Sequence, residues 1–545
     1  MKKALALILA LALALSLAAC GGGNSQSTPA SQGAAPAEQE PVDLNKTAVE
    51  GISEDAVLRV AVDGEPDSLF AAYQQNRADN RVNSSMFNYL VEWDDEAKES
   101  KPSVATEWEW LDTTYTKIRF TLRDDVYFTN GEKLVAEDVA QSLAYSCGYH
   151  ATYTNMFDVD NFVVEDDTHV VIALTKPYAN LVDILGCDYY TIFDWSAWQA
   201  DIEAQGEEAA LAKWIRDPIG SGPYQLVEWV DGDHITLERN ENYWDKDNMP
   251  YYKQIVYSFI GDISARAIAL QSGTVDVAFN LAANQVDELR NVGLTVDTYN
   301  ENVARMMAFN MIRCPALADE NVRRAILYCI DKVALADAAG NGYEVYGKSP
   351  IVTEISPYYA EVETFSQDLE AAQAAIDAAI AENGWTPEDL TFVGWTVAGS
   401  DISLYELLQY YLSTIGITYQ IESADLATVL FEHVFVGDTT ISSTELDGWD
   451  ITRMLEFLDS RIPTSYYAYV GEDEEELHAL IDAAWAASPE DSYEAYRAVQ
   501  QFAADHYMMT VISAIMMPNA WSSDITGMKY DAHCWPNVWA MRPVA

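Results

Sequence analysis

Short runs of alternating or continuously apolar residues dominate the first half of the chain after its N-terminal segment. Residues 56–62 (AVLRVAV) form an almost continuous apolar run that Asp63 and Gly64 end, which is typical of a buried strand followed by a turn. β-branched residues at alternate positions predict further strands. These lie at Thr116–Leu122, His169–Leu174, Tyr224–Trp229, Lys253–Ile260 and Val275–Phe279.

Apolar residues three and four positions apart, set among good helix formers, predict helices that are more frequent in the second half of the chain. The predicted helices are Ala136–Tyr145, Ser264–Gln271, Glu320–Ile330, Asp368–Glu382, Leu404–Ile415, Glu474–Ala487 and Ser492–Asp505. Because strands and helices interleave, the sequence predicts α/β lobes rather than an all-β sandwich or a helical bundle.

The first 19 residues have the three-part form of a secretory signal peptide: Lys2 and Lys3, an apolar run, and small residues before Cys20. The segment LAACG at 17–21 resembles a bacterial lipobox, which implies cleavage before Cys20 and lipidation of its thiol. Several acyl chains on one residue would anchor the protein stably to a membrane. Residues 20–54 are poor in large apolar side chains, so we predict a flexible tether there.

Charge and cysteine content narrow the possible partners. Acidic residues outnumber basic ones 86 to 31, giving a formal net charge of −55. Such a charge repels nucleic acid and anionic lipid headgroups, so neither is an expected partner. The cysteines after Cys20 and the seven histidines show no metal-ligand spacing, so we expect buried thiols, no metal and no cofactor.

Six segments occur in the order of one protein family's signature. They are FTLRDDVYFTNG at 120–131, LVAEDVAQS at 134–142, PIGSGPY at 218–224, LERNENYW at 237–244, ARAIALQSG at 265–273 with VDV at 275–277, and DENVRRA at 319–325 with IDK at 330–332. Together they resemble the family 5 extracellular solute-binding proteins, which are oligopeptide and dipeptide receptors of ABC importers. Gly220–Pro223 lacks the Lys-Ser/Thr of a phosphate-binding loop, so we interpret it as a tight turn.

The resemblance implies an α/β, two-lobed periplasmic-binding-protein fold of the type II, large-cluster class, whose lobes close over a ligand. The first lobe would comprise residues 55–300 and 509–545, with an extra subdomain near 86–215. The second lobe would comprise residues 301–508. Two hinge crossings are expected near Arg305–Asn310 and Met508–Ser513.

The implied function is capture of a solute, most simply a peptide, without chemical change. The protein would be a monomer on the extracytoplasmic face, attached to the membrane only through its lipid anchor, and would deliver the solute to the membrane permease of an ABC transporter. A sugar or amine receptor, or a sensor or adhesin with the same fold, remains an alternative. A surface glycoside hydrolase would need two carboxyl groups at a set separation, and the sequence nominates no such pair.

One aspartate stands out in the predicted second lobe. In dipeptide-binding relatives, an aspartate nine residues after another aspartate and four before a proline binds the ligand's ammonium group, and Asp450, Asp459 and Pro463 reproduce that spacing. A carboxylate–ammonium hydrogen bond is stronger than a neutral one, which suits this role. Asp459 could instead pair with Arg453 or Arg461. We interpret Asp450 as the end of a strand.

A basic partner for the ligand's carboxylate is missing from the region where the relatives supply it, because the chain has no Lys or Arg between Lys348 and Arg453. Strict dipeptide specificity is therefore not expected. Aromatic rings offer contact area to peptides or sugars, and Trp395 follows the predicted strand 390–394. The candidate ligand-binding residues are Asp459, Trp449, Trp395, Tyr466, Phe457, Asp63 and Tyr89.

Overall fold

The structure is a computed structural model that describes residues 47–73, 77–94, 97–149, 156–178, 180–187, 190–340, 342–363, 365–400, 402–434, 439–447, 450–462, 467–531 and 534–545. The signal peptide, Cys20 and most of the tether lie outside these residues. The described chain forms two compact units. We call residues 47–299 with Met517–Ala545 the terminal unit, and Asn300–Met516 the middle unit. Within the described ranges, no helix is long and apolar enough to cross a membrane.

Among its described residues, the terminal unit begins with twelve strands and seven α-helices. Its strands are β1 (Val57–Val62), β2 (Val91–Asp94), β3 (Glu99–Pro102), β4 (Ala105–Trp110), β5 (Lys117–Leu122), β6 (Val163–Asp166), β7 (His169–Ala173), β8 (Tyr224–Val230), β9 (His234–Arg239), β10 (Gln254–Phe259), β11 (Val277–Ala278) and β12 (Thr295–Asp297). Its helices are α1 (Arg77–Asn83), α2 (Ala136–Tyr149), α3 (Leu181–Ile184), α4 (Trp195–Gln205), α5 (Glu207–Arg216), α6 (Ile263–Gln271) and α7 (Val286–Asn291), with 3-10 turns at Ala71–Tyr73, Val159–Asn161 and Ala283–Gln285.

The middle unit is richer in helix. Its strands are β13 (Asn300–Phe309), β14 (Val345–Tyr346), β15 (Thr391–Val397), β16 (Thr418–Ala424), β17 (Ile441–Asp447) and β18 (Met509–Met516). Its helices are α8 (Pro315–Ala318), α9 (Glu320–Cys329), α10 (Lys332–Gly340), α11 (Leu369–Asn383), α12 (Ser403–Thr414), α13 (Leu426–Thr428), α14 (Ile451–Leu458), α15 (Glu474–Ala486) and α16 (Ser492–Asp505), with a π-helix at Val429–Val434.

The chain then returns to the terminal unit in short strands. These are β19 (Asn519–Trp521), β20 (Ile525–Thr526), β21 (Lys529–Tyr530), β22 (Pro536–Asn537) and β23 (Arg542–Pro543). Strand β19 joins the main sheet between β12 and β11, so the C-terminal segment is part of the core built by the N-terminal half.

A seven-stranded mixed sheet organises the terminal unit, in the order β12-β19-β11-β1-β10-β9-β8. Strand β1 is parallel to both β10 and β11, so the carboxyl ends of these three strands lie at one edge of the sheet. Against the sheet packs an aromatic cluster that includes Phe70, Phe193, Trp198 and Trp214, all fully buried. A separate four-stranded antiparallel sheet, β4-β5-β7-β6, lies within the segment predicted as an extra subdomain.

The middle unit is built on a four-stranded sheet in the order β14-β18-β13-β17. All eight residues of β18 are buried, although Thr510 and Ser513 carry hydroxyl groups. Thr510 Oγ1 accepts a hydrogen bond from Lys332 Nζ at 2.7 Å and donates one to Glu363 at 3.0 Å. Ser513 Oγ donates to Glu344. Burying these polar groups is tolerated because each has a hydrogen-bonding partner.

The predicted α/β class is confirmed, and every strand and helix predicted above is present with small shifts of its ends. Two local interpretations were wrong. Trp395 does not follow its strand but lies inside β15, which continues to Val397. Asp450 does not end a strand: it is the N-cap of α14, where its carboxylate accepts a hydrogen bond from the backbone N–H of Thr452 at 3.0 Å. An aspartate is favoured at this position because it satisfies a helix N–H that has no partner within the helix.

The sequence predicts a tight turn at residues 220–223, but they form a bend that leads into β8, and the two glycines are required by close packing. Cβ atoms added at Gly220 and Gly222 would lie 2.2 Å from Met86 O and 2.4 Å from Met86 C, respectively. The N–H of Gly222 donates to Met86 O at 2.9 Å. These glycines therefore let two backbone segments touch, which is a structural role.

Candidate functional site

The carboxyl edge of the main sheet carries a polar cluster around Asp63. Asp63 directly follows β1, and Asn280 follows β11 in a left-handed conformation with φ of 52°. The Asn280 side-chain amide donates to Asp63 Oδ2, and Arg81 Nη2 donates to Asn280 Oδ1 at 2.8 Å. The Arg81 guanidinium is almost fully buried and lies 3.7 Å from Asp63 Oδ1. In open α/β sheets, this edge is where ligands commonly bind.

Arg266 holds the backbone at the same edge of the sheet through hydrogen bonds. It projects from α6 and donates to the backbone carbonyls of Ile260 at 2.6 Å, Phe279 at 3.0 Å and Asn280 at 2.7 Å. These carbonyls follow β10 and β11, so one guanidinium fixes the ends of two strands beside Asp63. The pKa of Asp63 is raised by burial but lowered further by Arg81 and by the Asn280 hydrogen bond, and it lies below its usual range. Asp63 is therefore a charged, well-held carboxylate.

Tyr89 lies in the wall of a partly open cavity of about 60 Å³ within the terminal unit. The cavity wall draws on three separate parts of the chain, around residues 84–103, 186–243 and 529–539. Its aromatic members are Phe87, Tyr89, Trp93, Tyr243, Tyr530 and Trp539. Rings of this kind offer large contact area at small entropic cost, so the cavity suits the apolar part or the end group of an organic solute.

Four charged side chains also line this cavity: Glu92, Lys101, Lys529 and Asp531. Glu92 and Lys101 form an ion pair at 3.6 Å. Asp531 is buried, and its Oδ1 accepts a hydrogen bond from the backbone N–H of Trp535 at 2.9 Å. Lys529 Nζ lies 5.2 Å from the centroid of the Trp539 ring, a cation–π distance.

In the middle unit, Asp459 ends α14 and is held by Arg461. Arg461 Nε donates to Asp459 Oδ1 and Nη2 donates to Oδ2, both at 2.8 Å, and the backbone N–H of Arg461 donates to Oδ1 at 2.9 Å. The same guanidinium donates to both carboxylate oxygens of Asp482, at 3.0 and 2.8 Å. Asp459 is thus one of two carboxylates sharing one arginine.

Further polar groups surround Asp459. His478 Nε2 lies 3.6 Å from Asp459 Oδ1 and 2.9 Å from Ser460 Oγ, which also donates to Glu474. Burial raises the pKa of Asp459, but the hydrogen bonds and charge of Arg461 lower it by more, so the net pKa is below its usual range. The pairing with Arg461 is the alternative that the sequence left open.

The remaining candidates are spread over the middle unit. The half-buried Trp395 ring stacks on His433, with centroids 3.5 Å apart and planes 8° from parallel. Phe457 is half-buried on α14 and packs against the hydrophobic core. Trp449 and Tyr466 lie outside the described residues, as does Cys20.

Sequence reasoning missed Arg81, Asn280 and Lys529. Asn280 carries a weak signal, because an asparagine after a strand often adopts a left-handed conformation. Lys529 carries none, since most of the cavity wall comes from residues between 84 and 243, hundreds of positions earlier in the chain. Among the residues with described positions, no cluster of His, Cys, Asp or Glu has the geometry of a metal site. The thiols at 147, 187, 329 and 534 are buried and Cys314 is half-buried, and burial raises the pKa of Cys147 and of Cys329 to about 12.

The profile of the bacterial extracellular solute-binding proteins, family 5 (middle region), matches residues 99–460. The chain belongs to this family. Its members are extracytoplasmic solute-binding proteins, and the predicted two-lobed fold class of these ABC importer receptors is confirmed.

Individual family 5 relatives are named for different solutes. The chain is 28% identical over 337 residues to Heme-binding protein A of Haemophilus influenzae, covering 56% of this chain and 58% of that protein. It is 24% identical over 394 residues to the Probable D,D-dipeptide-binding periplasmic protein DdpA of Escherichia coli, covering 71% and 73%. It is 25% identical over 300 residues to the Nickel-binding protein NikA of Staphylococcus aureus, covering 55% and 56%. The alignment thus spans less than two thirds of the haem and nickel relatives.

Solved structures share the fold. The ABC transporter substrate-binding protein CtaP of Listeria monocytogenes superposes with a TM-score of 0.77 at 21% identity, covering 90% of this chain and all of that one. The periplasmic binding protein DppA of Helicobacter pylori in complex with the peptide STSA gives a TM-score of 0.69 at 18% identity, covering 90% and 98%. At these identities, the structural similarity establishes the fold only. The ligand has to be inferred from the residues of this chain.

Proposed function

We propose that this protein is the lipid-anchored, monomeric substrate-binding component of an ABC transporter, which captures a peptide and delivers it to a membrane permease. The observation that carries the proposal is the family match along residues 99–460, together with a relative named for D,D-dipeptides at 73% coverage. No chemical step is required of such a protein, and its work is reversible binding. The anchor would be lipidated Cys20, on the extracytoplasmic face.

The terminal unit offers two surfaces suited to a peptide. Asp63 is a charged carboxylate at the carboxyl edge of the main sheet, held by Asn280 and Arg81. The aromatic cavity beside Tyr89 is suited to a side chain or an end group. We assign Asp63 and Tyr89 to ligand contact on this basis.

In the middle unit, we assign Trp395, Trp449, Tyr466, Phe457 and Asp459 as further contacts. Asp459 can take this role only if a ligand ammonium group competes with Arg461, which has a second carboxylate, Asp482, to hold it. An ammonium group that displaces Arg461 gains a charge-assisted hydrogen bond, while Arg461 keeps its pair with Asp482.

The test is thermal denaturation of the purified protein with candidate solutes, starting with a tryptic digest of casein. Binding to the folded state stabilises it by RT ln(1 + [L]/Kd), which is about 2.7 kcal/mol at a hundredfold excess over Kd. We expect the digest to raise the melting temperature in a concentration-dependent way. Mixtures of neutral sugars and of polyamines serve as comparisons. If sugars or polyamines raise the melting temperature and the digest does not, the proposed peptide solute is wrong and the solute belongs to the class that stabilises the protein.

A further inference from the structure

We propose that Lys529 binds a carboxylate of the captured solute in the cavity beside β21. This assignment names the chemical class of solute and so rests on the proposed function. It begins from the position of Lys529 on the short hairpin of β21 and β22, where Lys529 pairs with Asn537. Both residues line the cavity, so the hairpin carries the lysine to its wall.

Two basic side chains line this cavity, Lys101 and Lys529, and they differ in their ion pairing. Among the residues that the structure describes, no carboxylate oxygen lies within 4.0 Å of Lys529 Nζ, whereas Lys101 is paired with Glu92. The buried Asp531 is turned to the backbone N–H of Trp535. The Lys529 ammonium lies 5.2 Å from the centroid of the Trp539 ring.

Burial makes the Lys529 ammonium a good partner for an anion, against the opposing charge of nearby carboxylates. Burial lowers the pKa of Lys529, although Glu92, Asp245 and Asp94 act in the opposite direction. An ammonium group that has lost part of its water and lacks a carboxylate partner gains most from an incoming anion. The cavity volume of about 60 Å³ fits a small end group, not a whole peptide. Asn88, Ser84 and Asn537 lie in the same wall and are polar.

The distribution of basic residues in the middle unit gives a second reason to consider Lys529. That unit has no Lys or Arg between Lys348 and Arg453, and Arg461 is occupied by Asp459 and Asp482. Lys529 in the terminal unit is therefore a candidate partner for a carboxylate that this stretch of the middle unit cannot bind. With a net charge of −55, the protein repels anions at long range, so the carboxylate would be selected by this local contact.

The first arm of the test uses small probes and does not depend on peptide binding. Calorimetric titration of the full chain with 3-phenylpropionate, 3-phenylpropionamide and inorganic phosphate compares a carboxylate, its neutral analogue and a different anion. We expect 3-phenylpropionate to bind at least tenfold more tightly than the amide, because a charged hydrogen bond is lost with the amide. Lys529→Met should remove that preference, and Lys529→Arg should retain it. Tighter binding of phosphate, or equal binding of acid and amide, would overturn the assignment.

The second arm uses the casein digest and the same digest after methyl esterification, with Lys213→Met as control because Lys213 is an exposed lysine of the same unit. We expect the free-acid digest to stabilise wild type and Lys213→Met more than the ester does, and Lys529→Met to abolish that difference. If the digest stabilises wild type and Lys529→Met equally, the assignment of Lys529 is wrong while peptide capture stands. If only 3-phenylpropionate binds, and does so through Lys529, the peptide function is wrong while the anion site stands. Far-ultraviolet circular dichroism checks that each variant is folded.

Discussion

At the scale of single residues, the ion pair with Arg461 determines whether the Asp459 carboxylate is charged and whether it is available to a ligand. The spacing from Asp450 to Pro463 draws attention to Asp459 but does not show which residue holds its carboxylate. The reason is geometric: Arg461 also reaches Asp482, which α15 brings into place from farther along the chain. The sequence shows that Asp459 has basic residues within reach, but the pairing with Arg461 depends on how α14 and α15 pack.

Arg461→Gln is expected to lower the free energy of unfolding by about 1–2 kcal/mol at pH 7, a value reduced because the arginine side chain is 42% exposed. Asp459, only 8% exposed, would then be left without its main donor. Because Arg461 holds the pKa of Asp459 below its ordinary value, this stabilisation is present above the unfolded-state pKa of about 4 and is lost as pH falls through the folded-state value. The deficit of Arg461→Gln should therefore shrink in acid.

Urea denaturation of wild type, Arg461→Gln, Asp459→Asn and the double variant at pH 7 and pH 3.5 measures this effect. The double-variant cycle isolates the coupling of the two residues from their other contacts. A coupling energy near zero at pH 7, or a deficit that grows in acid, would contradict the assignment.

At the scale of secondary-structure elements, the sequence was a good guide wherever one segment determines its own shape. The helix at Ser492–Asp505 and the strand β1 follow from periodicity and turn residues alone. The cavity around Tyr89 could not be predicted in this way, because its wall joins α1's following loop, β2, β3 and the β21–β22 hairpin. Lys529 becomes a candidate only when these elements are brought together by the fold.

The close packing of Gly220 and Gly222 against Met86 gives an element-scale prediction. Gly222→Ala should destabilise the protein by about 1–3 kcal/mol, because the new methyl group would overlap the backbone of Met86 and Phe87. Gly148→Ala is the matched control: Gly148 lies near the end of α2 and has no atom within 4 Å of its added Cβ. That control is expected to be neutral or to stabilise by about 0.5 kcal/mol.

Chemical denaturation of the two glycine variants separates these outcomes. A Gly222→Ala variant as stable as Gly148→Ala would show that the bend relaxes without cost. The steric reason for the glycines of the PIGSGPY segment would then be wrong.

At the scale of the whole molecule, family membership fixes the fold but leaves the solute open. Relatives named for haem, nickel and D,D-dipeptides share the family, so the shared fold alone does not specify the solute. Sequence blocks such as DENVRRA identify the family because they build shared architecture. In this chain, Asp319 of that block caps α9 and Arg323 donates to the carbonyl oxygens of Leu317 and Ala318.

The lipid anchor is a whole-molecule prediction. Growth of an expressing bacterium with an alkynyl palmitate should label the wild-type protein, because acyl chains are expected on Cys20. Cys20→Ser should abolish the label, since the thiol that is modified is absent. Cys147→Ala, which removes a buried thiol, is the control and should be labelled like wild type. Equal labelling of Cys20→Ser and wild type would contradict an anchor at this position.

The two hydroxyl groups of β18 have a consequence for how the chain assembles. A sliding error of two residues would keep the same faces of the strand but would set Met508 or Ile512 opposite Glu363. It would equally set Val511 or Ile515 opposite Glu344. Either error removes a hydroxyl donor from each of two buried carboxylates, at a cost of about 1–3 kcal/mol per lost hydrogen bond, although Glu363 keeps its pair with Lys332 and Glu344 its pair with Arg305. Thr510 and Ser513 therefore favour the correct register of β18, the last strand of the middle unit. Met517, directly after β18, begins the return of the chain to the terminal unit.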